Sequence, residues 1–398
     1  MKVLIIGGGL FQNFALKKAN ELGFFTICAD MDKNALGRQN CDVFINESTR
    51  DYKAIITSLK NQNIKPDAVL TVGTDMSRTV FYVSREFGLD SGFENPDNIV
   101  NKISMRKKLS QSRINQPKFV YSDELKDILN KRIKFNLKFP LVLKPSENMG
   151  ARGVIKVNDD NDIIKNFEMT QKFAQDKNVI LEEFMEGPEL SVECIILNKK
   201  CYVMVIGDRH IEKEPYFVET GHSCPSRVNQ SILNEIPDFM QKAANSLGIY
   251  NGPCKGDIKI CNGKLMIGEI AGRLSGGFMS SHTLPISTGI DALKIAIKQR
   301  LGLFIEDKEL IPSKNIICIE RAIIPQQTGI IKKISNTKKA LKIPGVEFIH
   351  YNLKSGDKFG ELVSNIGKVG NVIISAEDFE QANKIYQQVL NTIKVELN

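Results

Sequence analysis

Short apolar runs alternating with helical patterns fill the first hundred residues, and this alternation restricts the fold more than any other feature. Val3 to Ile6 runs into Gly7-Gly8-Gly9 and then a helical pattern from about Leu10 to Leu22. FFTICAD (24–30), DVFIN (42–46) and DAVLTV (67–72) repeat the strand texture. The helical patterns between them start near Asp51 and Asp75, each placed to act as an N-cap. Strands joined by helices at this spacing predict a doubly wound parallel sheet over about residues 1–100.

From Val100 the texture changes. A helical segment carrying Lys102, Arg106 and Lys107 leads to Pro117, and strand-like FPLVLKPS (139–146) is followed by a glycine-bearing turn and VIKV (154–157). NVILEEFM (178–185), LSVECIIL (190–197) and CYVMVIG (201–207) read as further strands, and an amphipathic helix spans about Ile232 to Leu247. GDIKIC (256–261) and KLMIGEI (264–270) are joined by Asn262-Gly263, the strongest hairpin signal in the chain. After a helix ending near Arg300, Pro312 marks a third unit with strands around 316–324, 346–351 and 371–375 and a final helix from about Ala376. The expectation is an α/β and α+β multidomain chain with divisions at 1–100, 101–305 and 306–398, a small lid lobe occupying about 115–185.

Composition narrows the function. The net charge of +8 comes from 54 basic residues set against 46 acidic ones, but the lysines are scattered and form no run. A solvated surface explains them better than nucleic acid does. The eight cysteines form no CxxC pair, which argues against a zinc site and for reduced thiols. The apolar run before the first glycines is too short for a signal peptide and nothing later reaches a membrane span, so the expected location is the cytoplasm.

Three constellations carry chemistry. Gly7-Gly8-Gly9 with Asp30 resembles the start of a dinucleotide fold, but Gln12 stands where the third fingerprint glycine belongs. Lys144 precedes Ser146-Glu147-Asn148-Met149-Gly150-Ala151-Arg152-Gly153 between two strands. An ammonium beside mobile backbone N–H groups suits a polyphosphate, and an ordinary hairpin fits the same residues. Asp257 and Glu269 lie on neighbouring strands of the Asn262-Gly263 hairpin, with Arg273 four residues on. Two carboxylates on one face suit Mg²⁺ bound jointly with phosphate oxygens.

In this order the motifs resemble the ATP-grasp ligases, over nearly the whole chain, in the branch of biotin carboxylase, carbamoyl phosphate synthetase, glycinamide ribonucleotide synthetase and L-amino-acid ligases. The resemblance implies a Rossmann-like pre-ATP-grasp domain, a two-lobed ATP-grasp domain and a small C-terminal domain. It assigns Lys102 and Lys144 to the ATP phosphates and residues 146–153, with Ser146, Gly150 and Gly153, to a loop that covers them. Glu182, Glu183, Phe184 and Met185 correspond to the adenine-binding hinge and Glu189 to the ribose ligand. Asp257 and Glu269 become the metal ligands, while Arg273 joins Lys144 as a catalytic residue that stabilises the transferred phosphoryl group. Ala271-Gly272 departs from the Asn-Pro of many relatives and removes a metal ligand. On the acceptor side Arg209, His222, Arg227, Ser275 and Gly276 are candidate substrate contacts.

The implied reaction converts a carboxylate to an acyl phosphate with ATP and Mg²⁺ (Mn²⁺ serving as a substitute), then couples it to an amine. The alternatives are a bicarbonate-using carboxylase, an NAD(P)-dependent oxidoreductase and a non-catalytic ATP-binding regulator. The implied partners are small carboxylates and amines, with no nucleic acid and no membrane; a homodimer is compatible with the resemblance.

Overall fold

The computed structural model describes residues 1–398. Its four sheets divide the work of the chain. The first is parallel, with strands in the order Val43–Ile45, Phe25–Ala29, Lys2–Ile6 and Ala68–Leu70. Asp51 caps the helix Tyr52–Asn61 by accepting the Ala54 N–H, which leaves Ile55 and Leu59 to face the core. Asp75 does not cap. The next helix starts at Ser77, and the Asp75 carboxylate binds Arg273 instead, 198 residues away. The glycine turn is also not poised for a dinucleotide. Asp30 accepts the Gly8 N–H at 2.7 Å, and the Gln12 side chain folds over Gly7 and donates to the Val72 carbonyl.

A second, antiparallel sheet forms a separate lobe, termed the lid for its place over the cavity, in the order Phe119–Ser122, Val179–Glu183, Leu141–Pro145 and Ile155–Val157. Its inner face is a separate core of Val120, Leu141, Leu143, Val179 and Leu181, closed by Ile163 and Phe167.

The third sheet has eight antiparallel strands: Lys264–Ala271, Gly252–Cys261, Glu189–Leu197, Lys200–Glu212, Val218–Cys224, Ile317–Ile323, Gly370–Ala376 and Val346–Tyr351. The last three come from the C-terminal hundred residues, so the sheet is continuous from the hairpin to the far end of the chain. The final helix begins at Phe379 with Asp378 as its cap, a few residues later than the sequence pattern suggests. A small fourth sheet (Lys358–Phe359, Gly329–Ser335, Lys394–Leu397) lies beyond it.

The parallel sheet and the long sheet share their core, since Leu4 and Ile6 belong to the same buried cluster as Leu190 and Ile258. Their contact is closest where Gly73, at φ +67°, has the Gly276 Cα 3.0 Å from the position a Cβ would take. A side chain at either glycine would push the two units apart. No helix is long and apolar enough to cross a membrane.

Candidate active site

A cavity of about 720 Å³ opens between the lid, the long sheet and the C-terminal edge of the parallel sheet. Its floor is one row of residues directly opposed across five strands of the long sheet: Lys259, Glu189, Arg209, His222 and Glu320. Opposed residues share a face, so the row is a ladder of nearly alternating charge running from one end of the cavity to the other.

Three cations gather at one end. Lys144 comes from the lid strand and Lys102 from the first position of the helix Lys102–Gln111, which is capped by the Asn101 side chain. Arg273 follows the hairpin and is held by Asp75 at 2.6 Å. Lys144 meets Glu182 at 2.5 Å, but Glu182 is shared with Arg106, which binds it at 2.6 Å. Burial would raise the Glu182 pKa, yet Arg106 and Lys144 together outweigh it and hold the carboxyl at about 2. With two cations on one acid, burial and the nearby Arg106 and Lys102 push the Lys144 ammonium below its ordinary range. Lys102 goes the other way: burial would lower its pKa, but Glu269 and Asp75 outweigh that and raise it. In the sequence Arg106 is only one cation of a helix. Its spacing of four from Lys102 puts both on one helical face, which is the signal that could have singled it out.

Asp257 and Glu269 oppose each other directly in the hairpin. A two-residue turn at Asn262-Gly263 would by itself pair Asp257 with Gly268 and turn Glu269 to the other face. A bulge between Asp257 and Ile258 corrects this by leaving Gly268 as the extra residue. The displaced Gly268 carbonyl then accepts from Arg106 at 2.7 Å. Lys102 lies 3.2 Å from Glu269. Burial would raise the Glu269 pKa, but Lys102, Lys255, Lys144 and Arg273 outweigh it and hold the carboxyl at about 2. Lys255 and Arg209 take one oxygen of Asp257 at 2.7 and 3.0 Å. The other oxygen, Oδ1, is buried with no partner. An orphaned carboxylate oxygen beside a second carboxylate fits Mg²⁺, which needs only one or two protein oxygens and completes its shell with water and phosphate. No cluster of three or more His, Cys, Asp or Glu side chains suited to a metal is present, and Ala271 in the wall adds no donor.

Glu183, Phe184 and Met185 line the cavity, and Phe184 has Lys156 and Lys259 over its ring at 4.3 and 5.5 Å. Glu189 is bound by Arg209 and by Lys259. Arg209 is fully engaged by Glu189, Glu219 and Asp257. Burial works against its charge, and the three carboxylates outweigh burial and raise its pKa further. Its fork is therefore committed to organising carboxylates and is not open to a substrate acid. Arg227 is directed at Asp208 and Phe379 and lies outside the cavity wall. Ser146 and Gly153 also lie outside it, Ser146 bonded to Asp176 and Gly153 against Phe173. Gly150, Ser275 and Gly276 are in the wall.

At the other end, His222 bonds Thr283 through Nε2 at 2.7 Å and approaches Glu320 through Nδ1 at 3.5 Å. Glu320 also accepts from Asn371. Sequence reasoning missed both Glu320 and Asn371. An acid inside the apolar strand ICIERAI was the available signal.

Residues 137–282 match the ATP-grasp domain, and residues 321–398 match the L-amino acid ligase C-terminal domain 2. The chain carries an ATP-grasp domain. Among ATP-grasp relatives it is similar to the carbamoyl phosphate synthase large chain of Thermoanaerobacter sp. (strain X514), 24% identical over 54% of this chain and 20% of that one. It therefore spans only about a fifth of that relative's length. Formate-dependent phosphoribosylglycinamide formyltransferase of Sulfurisphaera tokodaii is 23% identical over 98% of this chain and 97% of its own. The crystal structure of L-amino acid ligase from Bacillus licheniformis shares the ATP-grasp fold with a TM-score of 0.83, at 20% identity over 100% of this chain and 98% of that one.

Proposed function

We propose that this protein is an ATP-dependent carboxylate–amine ligase acting through an acyl phosphate. The observation that carries the reading is the convergence of Lys144, Lys102, Arg273, Asp257 and Glu269 on one cavity, with an unpartnered Asp257 oxygen among them. The ATP-grasp match and the C–N ligases among the similar proteins support it.

In this reading adenine sits against Phe184 and Met185, and Glu189 faces the ribose. Lys144 and Lys102 hold the phosphates, Glu182 and Arg106 having fixed the place of Lys144. Mg²⁺, carried by Asp257 and Glu269, would neutralise phosphate charge. A substrate carboxylate oxygen attacks the γ-phosphorus and ADP leaves, Arg273 stabilising the charge in transit. The amine nitrogen then attacks the acyl carbon and phosphate departs. We assign the proton that the nitrogen gives up to His222, which lines the cavity beside Glu320. Loop 146–153 keeps water from the intermediate.

The acceptor end favours an amine over bicarbonate. Glu320 lines the cavity, is 2% exposed and has no lysine or arginine among its ion-pair partners. A buried carboxylate there attracts an ammonium group and repels a small anion.

The test is ADP release with Mg²⁺ across a panel of acids and amines. Lys144→Ala and Glu269→Ala are each expected to lower turnover by about 100-fold or more. Silence of folded wild-type protein across the panel sinks the function, and full activity in both variants sinks the site.

A further inference from the structure

The glycine loop is anchored near its start and again at its middle, and the second anchor comes from the C-terminal region of the chain. On the side of the parallel sheet, Arg78 grips Glu147 with two bonds of 2.7 and 2.6 Å, and Asn101 adds a third at 2.9 Å. The Lys102 ammonium donates to the Asn148 carbonyl at 2.9 Å. On the opposite side the Asn365 N–H donates to the Gly150 carbonyl at 3.2 Å. Asn365 opens the short helical turn Asn365–Gly367, which belongs to none of the four sheets. Two further bonds fix this turn to the long sheet. The Asn365 side-chain oxygen accepts the Glu219 N–H at 2.8 Å, and Lys368 donates to the Glu219 carbonyl at 2.9 Å. Glu219 in turn holds Arg209 at 2.8 Å, and Arg209 holds Asp257 at 3.0 Å.

The same segment walls the acceptor end. Asn352, Leu353, Asn365, Ile366, Lys368 and Asn371 all line the cavity, and Ile366 is 61% exposed despite doing so. A molecule seated against this wall therefore touches the turn that holds the phosphate loop.

We propose that Asn365 is a positioning residue that latches the glycine loop to the acceptor-end wall, so that covering of the nucleotide phosphates depends on the seating of the C-terminal segment. This rests on the ATP-site reading above. One neutral hydrogen bond shifts an open–closed equilibrium by a few-fold to about tenfold, which suits a latch that must release on every cycle. The side chain sets the position of the turn, and the turn's N–H makes the bond.

The test combines trypsin cleavage after Arg152, in the loop, with the dissociation rate of a fluorescent ATP analogue in Mg²⁺. Asn365→Ala removes the acceptor that fixes the turn, and Lys368→Met removes its other tie to Glu219, so each break can be read without the other. Asn365→Asp keeps an acceptor of the same shape. Cleavage without nucleotide and analogue dissociation should both quicken about 3- to 10-fold in the first two variants, with Asn365→Asp close to wild type. Unchanged rates in both breaking variants overturn the latch, as does an Asp variant as fast as the Ala variant. If wild-type protein binds no nucleotide, the ATP-site reading and the coupling fail together, whereas normal binding with unchanged cleavage removes the latch alone.

Discussion

Arg106 offers the sharpest physical test of how the site is held. Its guanidinium, 1% exposed, donates to Glu182 at 2.6 and 3.2 Å and to the carbonyls of Ile267 and Gly268 at 3.2 and 2.7 Å. Arg106→Met keeps most of the volume and removes all four bonds. Breaking a buried ion pair from one side costs ~3–5 kcal/mol. Lys144 remains beside Glu182, so the loss belongs at the lower end, ~3 kcal/mol. Arg106→Lys keeps the charge without the fork and should lose less. The measurement is urea unfolding followed by circular dichroism between pH 7 and pH 3. In wild type Glu182 is held at about 2, below its ordinary value of 4.5. Its stabilisation is thus complete above the ordinary value and disappears as pH falls toward 2. Without Arg106 the carboxyl titrates higher, so the gap between wild type and variant is full near neutrality and closes in acid. A loss below ~1 kcal/mol, or a gap that does not change with pH, refutes the reasoning.

Other expectations follow from the same geometry. Phe184→Ala should raise the KM for ATP about 5-fold with a smaller effect on kcat, since an aromatic contact is worth ~1 kcal/mol; an unchanged KM removes Phe184 from the adenine wall. Glu320→Gln should weaken amine use by roughly 10-fold or more while leaving nucleotide binding intact, and unaltered amine kinetics would exclude an acceptor role. Wild-type stability should fall from about pH 4.5 toward pH 2, because Glu182, Glu219 and Glu269 are each held at about 2; a urea midpoint that is flat across that range contradicts the charge arrangement. Glu269→Gln should raise the Mg²⁺ concentration needed for half-maximal ADP release about tenfold or more, and an identical Mg²⁺ requirement would remove it as a ligand.

Local signals carried much of this architecture. The alternation in the first hundred residues and the Asn262-Gly263 turn were legible because strand periodicity and turn chemistry are properties of neighbours in sequence. Asp51 and Asp75 show the limit. Each precedes a helical pattern, yet only Asp51 caps, because Arg273 recruits the other from across the molecule. The pairing of Asp257 with Glu269 depends on a bulge that no composition rule announces. In the sequence Arg209 is a free cation suited to a substrate acid, and only the register of three strands reveals that carboxylates already surround it.

The eight-stranded sheet also restricts how such a chain can change over generations. The strand Ile317–Ile323 is hydrogen-bonded to Val218–Cys224 in a fixed register, Gly221 to Arg321 and Cys224 to Cys318. Genetic exchange of everything after about residue 306 would have to splice through this ladder rather than through a free linker. A donor segment out of register by one residue would turn its inward side chains outward and leave an open strand edge prone to aggregation. Piecemeal replacement of single side chains, not wholesale shuffling, is therefore the accessible route to a changed cavity wall at this end of the sheet.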